Sequence, residues 1–142
     1  MSASHFQTHP DHISRSTVTV LERTTLDEGP SITATMAAFE SIVGLRGRKI
    51  YARVYPEINS YVVCTPIKDA DNAGSLGLDV GTLAGGDYLR ATLIGEPLEL
   101  YRRIAPAMSE LLQLRPRDET RPLVEFYRRC GEVELWVPIS PK

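Results

Sequence analysis

Alternating apolar positions divide the first half of the chain into a strand, a helix and two further strands. Segment 16–26, STVTVLERTTL, alternates Val18 and Val20 with threonines, which is typical of a strand. Four apolar residues then recur at helical spacing and predict a helix face: Ile32, Met36, Phe39 and Val43. The β-rich segments KIYARVY and SYVVCTP flank PEIN, which is a turn by composition. Segment 67–77, IKDADNAGSLG, is a loop by composition.

The second half repeats this order of elements. GGDYLRATLIG predicts a strand, and RPLVEFYRRCGEVELWVPI (121–139) predicts a closing hairpin. Between them, apolar residues again mark one helical face: Leu100, Ile104, Ala107 or Met108, and Leu111. Pro106 lies inside that helix, where we expect a local kink.

An ungapped superposition of 50–66 on 122–138 tests the repeat. Tyr55 falls on Tyr127, and the turn residue Asn59 falls on Gly131. We therefore predict an α+β fold of duplicated strand-helix-strand-strand units. Such units join into one antiparallel sheet with both helices on one face and the other face partly open. The predicted domain is 16–142, with halves of about 16–67 and 80–139, after a flexible N-terminal arm over 1–15.

Composition excludes several classes of function. The 142 residues carry a net charge of −2, so no basic face indicates nucleic acid. No apolar run reaches the ~20 residues of a membrane span, and the N-terminus lacks a secretory pattern, so we expect a cytoplasmic protein. His9 and His12 stand three apart without further ligands at zinc spacing, which favours no metal. The two isolated cysteines are expected to be reduced. No cofactor is indicated.

The hairpin places an acid, Glu125, inside an apolar run. Alternation is expected to put Val124 and Phe126 on one face with Val133, Leu135 and Val137, under the helices. The other face would then carry Glu125, Tyr127, Glu134 and Trp136. One interpretation is a solvated strand face. The other is a ligand surface, because aromatic faces attract cations and a partly buried carboxylate selects charge.

The hairpin resembles the C-terminal signature of gyrase-inhibitor-like (GyrI-like) effector-binding domains. These occur as ligand domains of AraC-type and MerR-type bacterial transcription activators and as stand-alone proteins. The matching residues are Pro122, Val124, Glu125, Phe126, Tyr127, Glu134, Leu135, Val137, Pro138 and Ile139. Gly86, Tyr88 and Gly95 match the family's glycine-x-tyrosine strand and following glycine. The resemblance covers about 16–139, and CTPIKDADN departs from the family's first-half pattern.

The resemblance implies the same duplicated fold and a ligand groove between the halves, which we expect on the face opposite the helices. It implies that Glu125 contacts the ligand, often a lipophilic cation, inside an aromatic cage. The expected cage residues are Tyr127, Trp136, Tyr88 and Tyr55. The ungapped alignment of the repeat places Arg53 at the position of Glu125. An ion pair between the two side chains would favour a polar or anionic ligand.

Three functions follow from the resemblance. The first is a small-molecule-binding module without a DNA-binding domain, for sensing or sequestration of a lipophilic, cationic or aromatic compound, as in multidrug binding. The second is a hydrolase of reactive cyclopropane-containing compounds, with Glu125 as base and Tyr127 or Tyr88 as hydrogen-bond donor. The third is a protein-interaction inhibitor of the gyrase type. We expect no direct contact with nucleic acid or membrane, and the sequence leaves a protein partner and the oligomeric state open.

Overall fold

The fold is a single curled antiparallel sheet of eight strands with three α-helices. A computed structural model describes residues 6 and 9–141. The strands are β1 (Asp11–Arg15), β2 (Val18–Leu26), β3 (Ile50–Tyr55), β4 (Ser60–Pro66), β5 (Asp79–Leu83), β6 (Gly86–Ile94), β7 (Leu123–Arg129) and β8 (Glu132–Pro138). The helices are α1 (Gly29–Val43), α2 (Ala73–Leu76) and α3 (Pro97–Leu114), and a single 3₁₀ turn covers Pro56–Ile58.

The order of strands shows the duplication. The sheet runs β1-β6-β8-β7-β3-β4-β2-β5, so that β6, β8 and β7 form one half and β3, β4 and β2 form the other. The halves join where β7 pairs with β3 in antiparallel register. The turn residues Asn59 and Gly131 both have left-handed backbone, with φ of 53° and 82°, as their alignment predicts. The predicted α+β fold class, with duplicated units joined into one antiparallel sheet, is confirmed.

In addition, one strand next to each half in sequence pairs with the other half. β1 precedes β2 but pairs with β6, and β5 precedes β6 but pairs with β2. Each crossing uses only two residues, 16–17 and 84–85, so the two ends of the sheet must curl towards each other. The linkers touch: the Gly85 amide donates to the Thr17 hydroxyl at 2.9 Å. A Cβ on Gly85 would lie 2.5 Å from the Thr17 nitrogen, which only glycine avoids.

Two segments differ from the sequence-based expectation. Residues 11–15 were expected in a flexible arm but form β1, where Asp11 binds Arg90 at 2.7 Å. Residues 79–83 form the edge strand β5, and the loop before it contains the short helix α2. β1 is mostly polar and β5 has only five residues, and both form through pairing with distant partners, which local periodicity does not reveal. Residues 1–5 and 7–8 of the expected arm lie outside the described residues.

Both long helices pack on one face of the sheet, here called the helix face. The predicted apolar residues of α1 and α3 all contact one cluster that includes Leu21, Val63 and Leu135. Pro30 lies in the first turn of α1, and Gly44, with φ of 75°, follows its last residue. α1 packs mainly on β2 and β4, whereas α3 packs on β6 and β8. The two central strands, β3 and β7, therefore lie between the helices.

Within the described part of the chain, no helix combines the length and apolar character needed to cross a membrane. The same residues contain no cluster of three or more histidine, cysteine or acidic side chains placed to hold a metal ion. Cys64 is buried and Cys130 is exposed, and neither forms a disulfide.

Candidate functional site

The strand register places Glu125 and Tyr127 on the helix face. Glu125 pairs directly with Leu135 across the β7–β8 hairpin, and Val124 pairs with Trp136. Directly paired residues share a face, and Leu135 lies in the helix-face cluster. The expected grouping of Glu125 and Tyr127 with Glu134 and Trp136 is therefore wrong, and Glu125 lies on the helix face instead of the expected face opposite the helices. A shift of the strand pairing by one residue moves every side chain of that strand to the opposite face of the sheet.

A β-bulge near the hairpin turn explains the discrepancy with the repeat. The β7–β8 register shifts between Tyr127 and Arg129, so one extra residue stands on β7. The residue that corresponds to Glu125 in the first half is therefore Ala52, which also pairs directly with Glu125. Arg53 points to the other face, where it binds Glu22 at 2.5 Å and the carbonyl of Thr82. Arg53 does not pair with Glu125.

Three polar side chains contact one another on the helix face of the sheet, and we call them the Glu125 triad: Tyr61, Glu125 and Tyr127. The Tyr61 hydroxyl donates to Oε1 of Glu125 at 2.7 Å, and the Tyr127 hydroxyl donates to the same oxygen at 2.6 Å. The two hydroxyl oxygens lie 2.8 Å apart. Glu125 is only 7% exposed. Among the described residues, no donor contacts its second oxygen, Oε2.

Burial favours the neutral form of Glu125, whereas the two phenols that donate to its Oε1 favour the ionised form. Burial raises the pKa of Glu125, the two phenol hydrogen bonds lower it in part, and the negative charge of Asp27 raises it further. Burial and the neighbouring carboxylate also raise the pKa of both Tyr61 and Tyr127 well above its usual range.

An aromatic ring on α3 and a second acid on α1 lie near the triad. Tyr101 of α3 packs edge-on against Tyr127, with ring centroids 6.2 Å apart, and half of its surface is exposed. Burial raises the pKa of the half-buried Glu40 on α1. Burial also raises the pKa of Tyr101, and the negative charge of Glu40 contributes. Tyr101 of α3 and Glu40 of α1 are therefore close enough to interact electrostatically.

The other predicted cage residues lie on the opposite face of the sheet. Trp136 and Tyr88 belong to a second buried cluster with Tyr51 and Val124. Glu134, 2% exposed, accepts a hydrogen bond from Trp136 Nε1 at 3.0 Å and another from Arg128.

Tyr88 is held from two sides. Its hydroxyl donates to the carbonyl of Ala84 at 2.5 Å. The guanidinium carbon of Arg121 lies over its ring, 4.9 Å from the ring centroid. Burial raises the pKa of Tyr88, and Tyr55 is close enough to contribute. The sheet therefore separates Trp136, Tyr88, Tyr55 and Arg53 from the Glu125 triad.

Sequence reasoning missed Tyr61, Tyr101 and Glu40. Tyr61 stands 64 residues from Glu125 and in the other half, so no local spacing connects them. Its alternation with Val63 on β4 was available as a signal. Tyr101 precedes two arginines on α3, a pattern that is typical of a solvated helix surface.

Comparison with known proteins supports the fold. No family model matches the chain, and no curated protein matches its sequence. The solved structure of SAV2435 bound to tetraphenylphosphonium is 14% identical, with 94% of each chain covered and a TM-score of 0.63. A Staphylococcus aureus MU50 protein whose name assigns it to bacterial transcription regulation is 13% identical over 94% of this chain and 99% of that chain, with a TM-score of 0.61.

A hydrolase from Listeria innocua is 11% identical over 97% of this chain and 94% of that chain, with a TM-score of 0.59. Sequence identities this low show a similarity of fold and do not show a shared function. The chain has the GyrI-like fold.

Proposed function

We propose that the chain is a small-molecule-binding domain of the GyrI-like type. Its ligand is a lipophilic cation or a flat aromatic compound, held between α1 and α3 above the Glu125 triad. The observation that carries the proposal is a buried carboxyl group, Glu125, with one oxygen fixed by two phenols and the other free of donors from the described residues.

Charge selection follows from this geometry. A carboxylate in a low-dielectric site interacts with a cation much more strongly than one in water does. The rings of Tyr127 and Tyr101 would add cation–π attraction of about 0.5–2 kcal/mol. The two phenols keep Oε1 in place while Oε2 faces the ligand. The tetraphenylphosphonium ion of SAV2435 belongs to this class of compound.

Ligand entry requires the groove to widen. Tyr61 and Glu125 are nearly inaccessible, at 2% and 7% exposure. Because α1 and α3 rest on different pairs of strands, either helix can shift without breaking the central β7–β3 pairing. The exposed ring of Tyr101 marks the entrance on α3.

A thermal-shift and calorimetry series with tetraphenylphosphonium tests the proposal. A ligand that binds only the folded state raises stability by about 2.7 kcal/mol at one hundred times Kd. We expect a rise in Tm for the wild type and at least a tenfold weaker Kd for Glu125→Gln. The matched control is Glu119→Gln, which removes an exposed acid. Triphenylphosphine oxide serves as the neutral comparison. Equal affinity in both variants would contradict the proposal.

A hydrolase is the second candidate, and the hydrogen-bonded triad is the observation that favours it. Three linked hydroxyl and carboxyl groups can exchange a proton with a bound substrate, with Glu125 as the acid or base. The test is mass spectrometry of a reactive cyclopropane-containing compound incubated with the protein. Catalytic addition of one water, lost in Tyr127→Phe, would favour the hydrolase; compound bound but unchanged would favour the binding module.

A further inference from the structure

A concave site lies where β2 and β3 begin and β4 ends. Its volume is about 380 Å³, within the ~300–1,000 Å³ range of small-molecule pockets. The residues that the argument uses are Tyr51, Pro66 and Ile67 as apolar walls and Lys49 and Lys68 as charges. Tyr51 faces away from the Glu125 triad, because it belongs to the cluster on the opposite face of the sheet.

The charges of this pocket are positive and unpaired. Neither Lys49 nor Lys68 forms an ion pair with a carboxylate among the described residues. Asp71 is close enough to interact with Lys68, but Arg48 already binds both of its carboxylate oxygens, at 2.8 and 2.7 Å. The Lys68 ammonium lies 3.0 Å from where a Cβ on Gly47 would stand, so the glycine leaves room for it.

The aromatic wall of the pocket continues into a ring stack. Tyr51 stacks on Phe126, with centroids 4.4 Å apart and planes inclined by 16°. It also meets Trp136 edge-on, at 5.7 Å. Arg15 lies over the Trp136 ring at 5.2 Å and forms no ion pair among the described residues. A flat ring entering the pocket would therefore meet Tyr51 and the two lysines, Lys49 and Lys68, while Arg15 adds positive charge beside the ring stack.

We propose that this pocket, here called the lysine pocket, binds a planar aromatic carboxylate. The ring would lie between Tyr51 and the Pro66–Ile67 wall, and the carboxylate would sit between Lys49 and Lys68. The lysine pocket is opposite in charge to the Glu125 triad and is separated from it by the sheet. The chain would therefore bind an anion and a cation at different sites. This inference does not depend on the function proposed for the groove.

Calorimetric titration with 2-naphthoate tests the lysine pocket, with 2-naphthamide as its uncharged analogue. We expect saturable binding of 2-naphthoate and at least tenfold weaker binding of the amide. Lys49→Gln and Lys68→Gln should each weaken 2-naphthoate about three- to fivefold, as expected for exposed charge pairs. The double variant should weaken it by about tenfold or more. Quenching of Trp136, the only tryptophan, gives an independent readout.

Two control variants distinguish binding in the lysine pocket from binding elsewhere on the protein. Arg102→Gln removes an exposed positive charge on α3 and should leave 2-naphthoate binding unchanged. Glu125→Gln alters the groove and should also leave it unchanged. Absence of binding at millimolar 2-naphthoate, binding that survives the double lysine variant, or loss of binding in Glu125→Gln would each overturn the proposal.

Discussion

Ala52 of β3 lies directly opposite Glu125 of β7, at the junction between the two halves of the sheet. The pair stands at equivalent positions of the repeat, yet one half supplies a methyl group and the other a carboxyl group. The small side chain of Ala52 is fully buried beside Glu125 on the helix face. The Glu125 triad is therefore asymmetric: β7 provides the acid and Tyr127, while β4 provides Tyr61.

A larger side chain at position 52 should block the groove. We predict that Ala52→Leu weakens tetraphenylphosphonium binding at least tenfold, because the larger side chain occupies the volume beside Glu125. Overpacking should cost about 1–3 kcal/mol of unfolding free energy. Ala52→Ser is the matched control and should retain most of the affinity. Calorimetry and urea denaturation measure the two effects, and unchanged affinity in a folded Ala52→Leu variant would refute the position of the groove.

Removing a phenol from the triad should raise the pKa of Glu125. Both tyrosine hydrogen bonds favour its ionised form, so Tyr61→Phe should shift the titration of Glu125 to higher pH. NMR observation of glutamate side-chain carbon shifts during a pH titration measures this directly. Tyr55→Phe is a suitable control, because Tyr55 lies on β3 away from the triad. An unchanged or lowered pKa in Tyr61→Phe would mean that the hydroxyl does not bind the carboxyl group.

Glu125 should reduce stability at neutral pH. Its folded pKa is raised, so the folded state prefers the protonated form, and stability declines as pH rises from the unfolded value of about 4.3 towards the folded pKa. Glu125→Gln resembles the protonated form and lacks this decline. We therefore predict that the variant is more stable than wild type at pH 7 and equally stable near pH 3. Urea denaturation at both values checks the difference; a less stable variant at pH 7 would contradict it.

Asp71 should have the opposite pH dependence. Arg48 lowers the pKa of Asp71 to about 2 through two hydrogen bonds. A lowered folded pKa stabilises the folded state above the unfolded value, about 3.9, and this contribution is lost as pH falls towards 2. We expect Asp71→Asn to cost on the order of 1–2 kcal/mol at pH 6 and much less at pH 2.5. A cost independent of pH would show that the ion pair contributes nothing.

The contact between the two crossing linkers gives a steric prediction. Gly85→Ala places a Cβ 2.5 Å from the Thr17 nitrogen and 2.7 Å from the Arg15 carbonyl oxygen, both of which are backbone atoms. We expect a loss of about 1–3 kcal/mol, since the linkers must separate. Gly29→Ala at the start of α1 meets nothing within 4 Å and should be neutral or slightly stabilising. Thermal denaturation compares the two, and equal Tm values would contradict the close approach.

Local periodicity was sufficient to predict α1, α3 and the central strands, because their apolar residues repeat at helical or alternating spacing. It did not reveal β1 and β5, two five-residue segments that form strands through pairing across the curled sheet. Glu125 and Tyr127 were recognised as candidates, but their face was not. One bulge residue beside Arg129 decides that face, and sequence alone does not place the bulge. Tyr61 joins them only through the tertiary fold.

Proton release on cation binding is the most direct test of the Glu125 triad. Calorimetry of tetraphenylphosphonium in phosphate and in Tris separates the heat of binding from the heat of buffer protonation. If Glu125 is protonated in the empty groove and ionises when the cation binds, the wild type will release a proton, and its affinity will fall about tenfold per pH unit below the Glu125 pKa. Glu125→Gln will show neither effect. Binding without proton release, or equally pH-dependent binding in Glu125→Gln, would contradict the account.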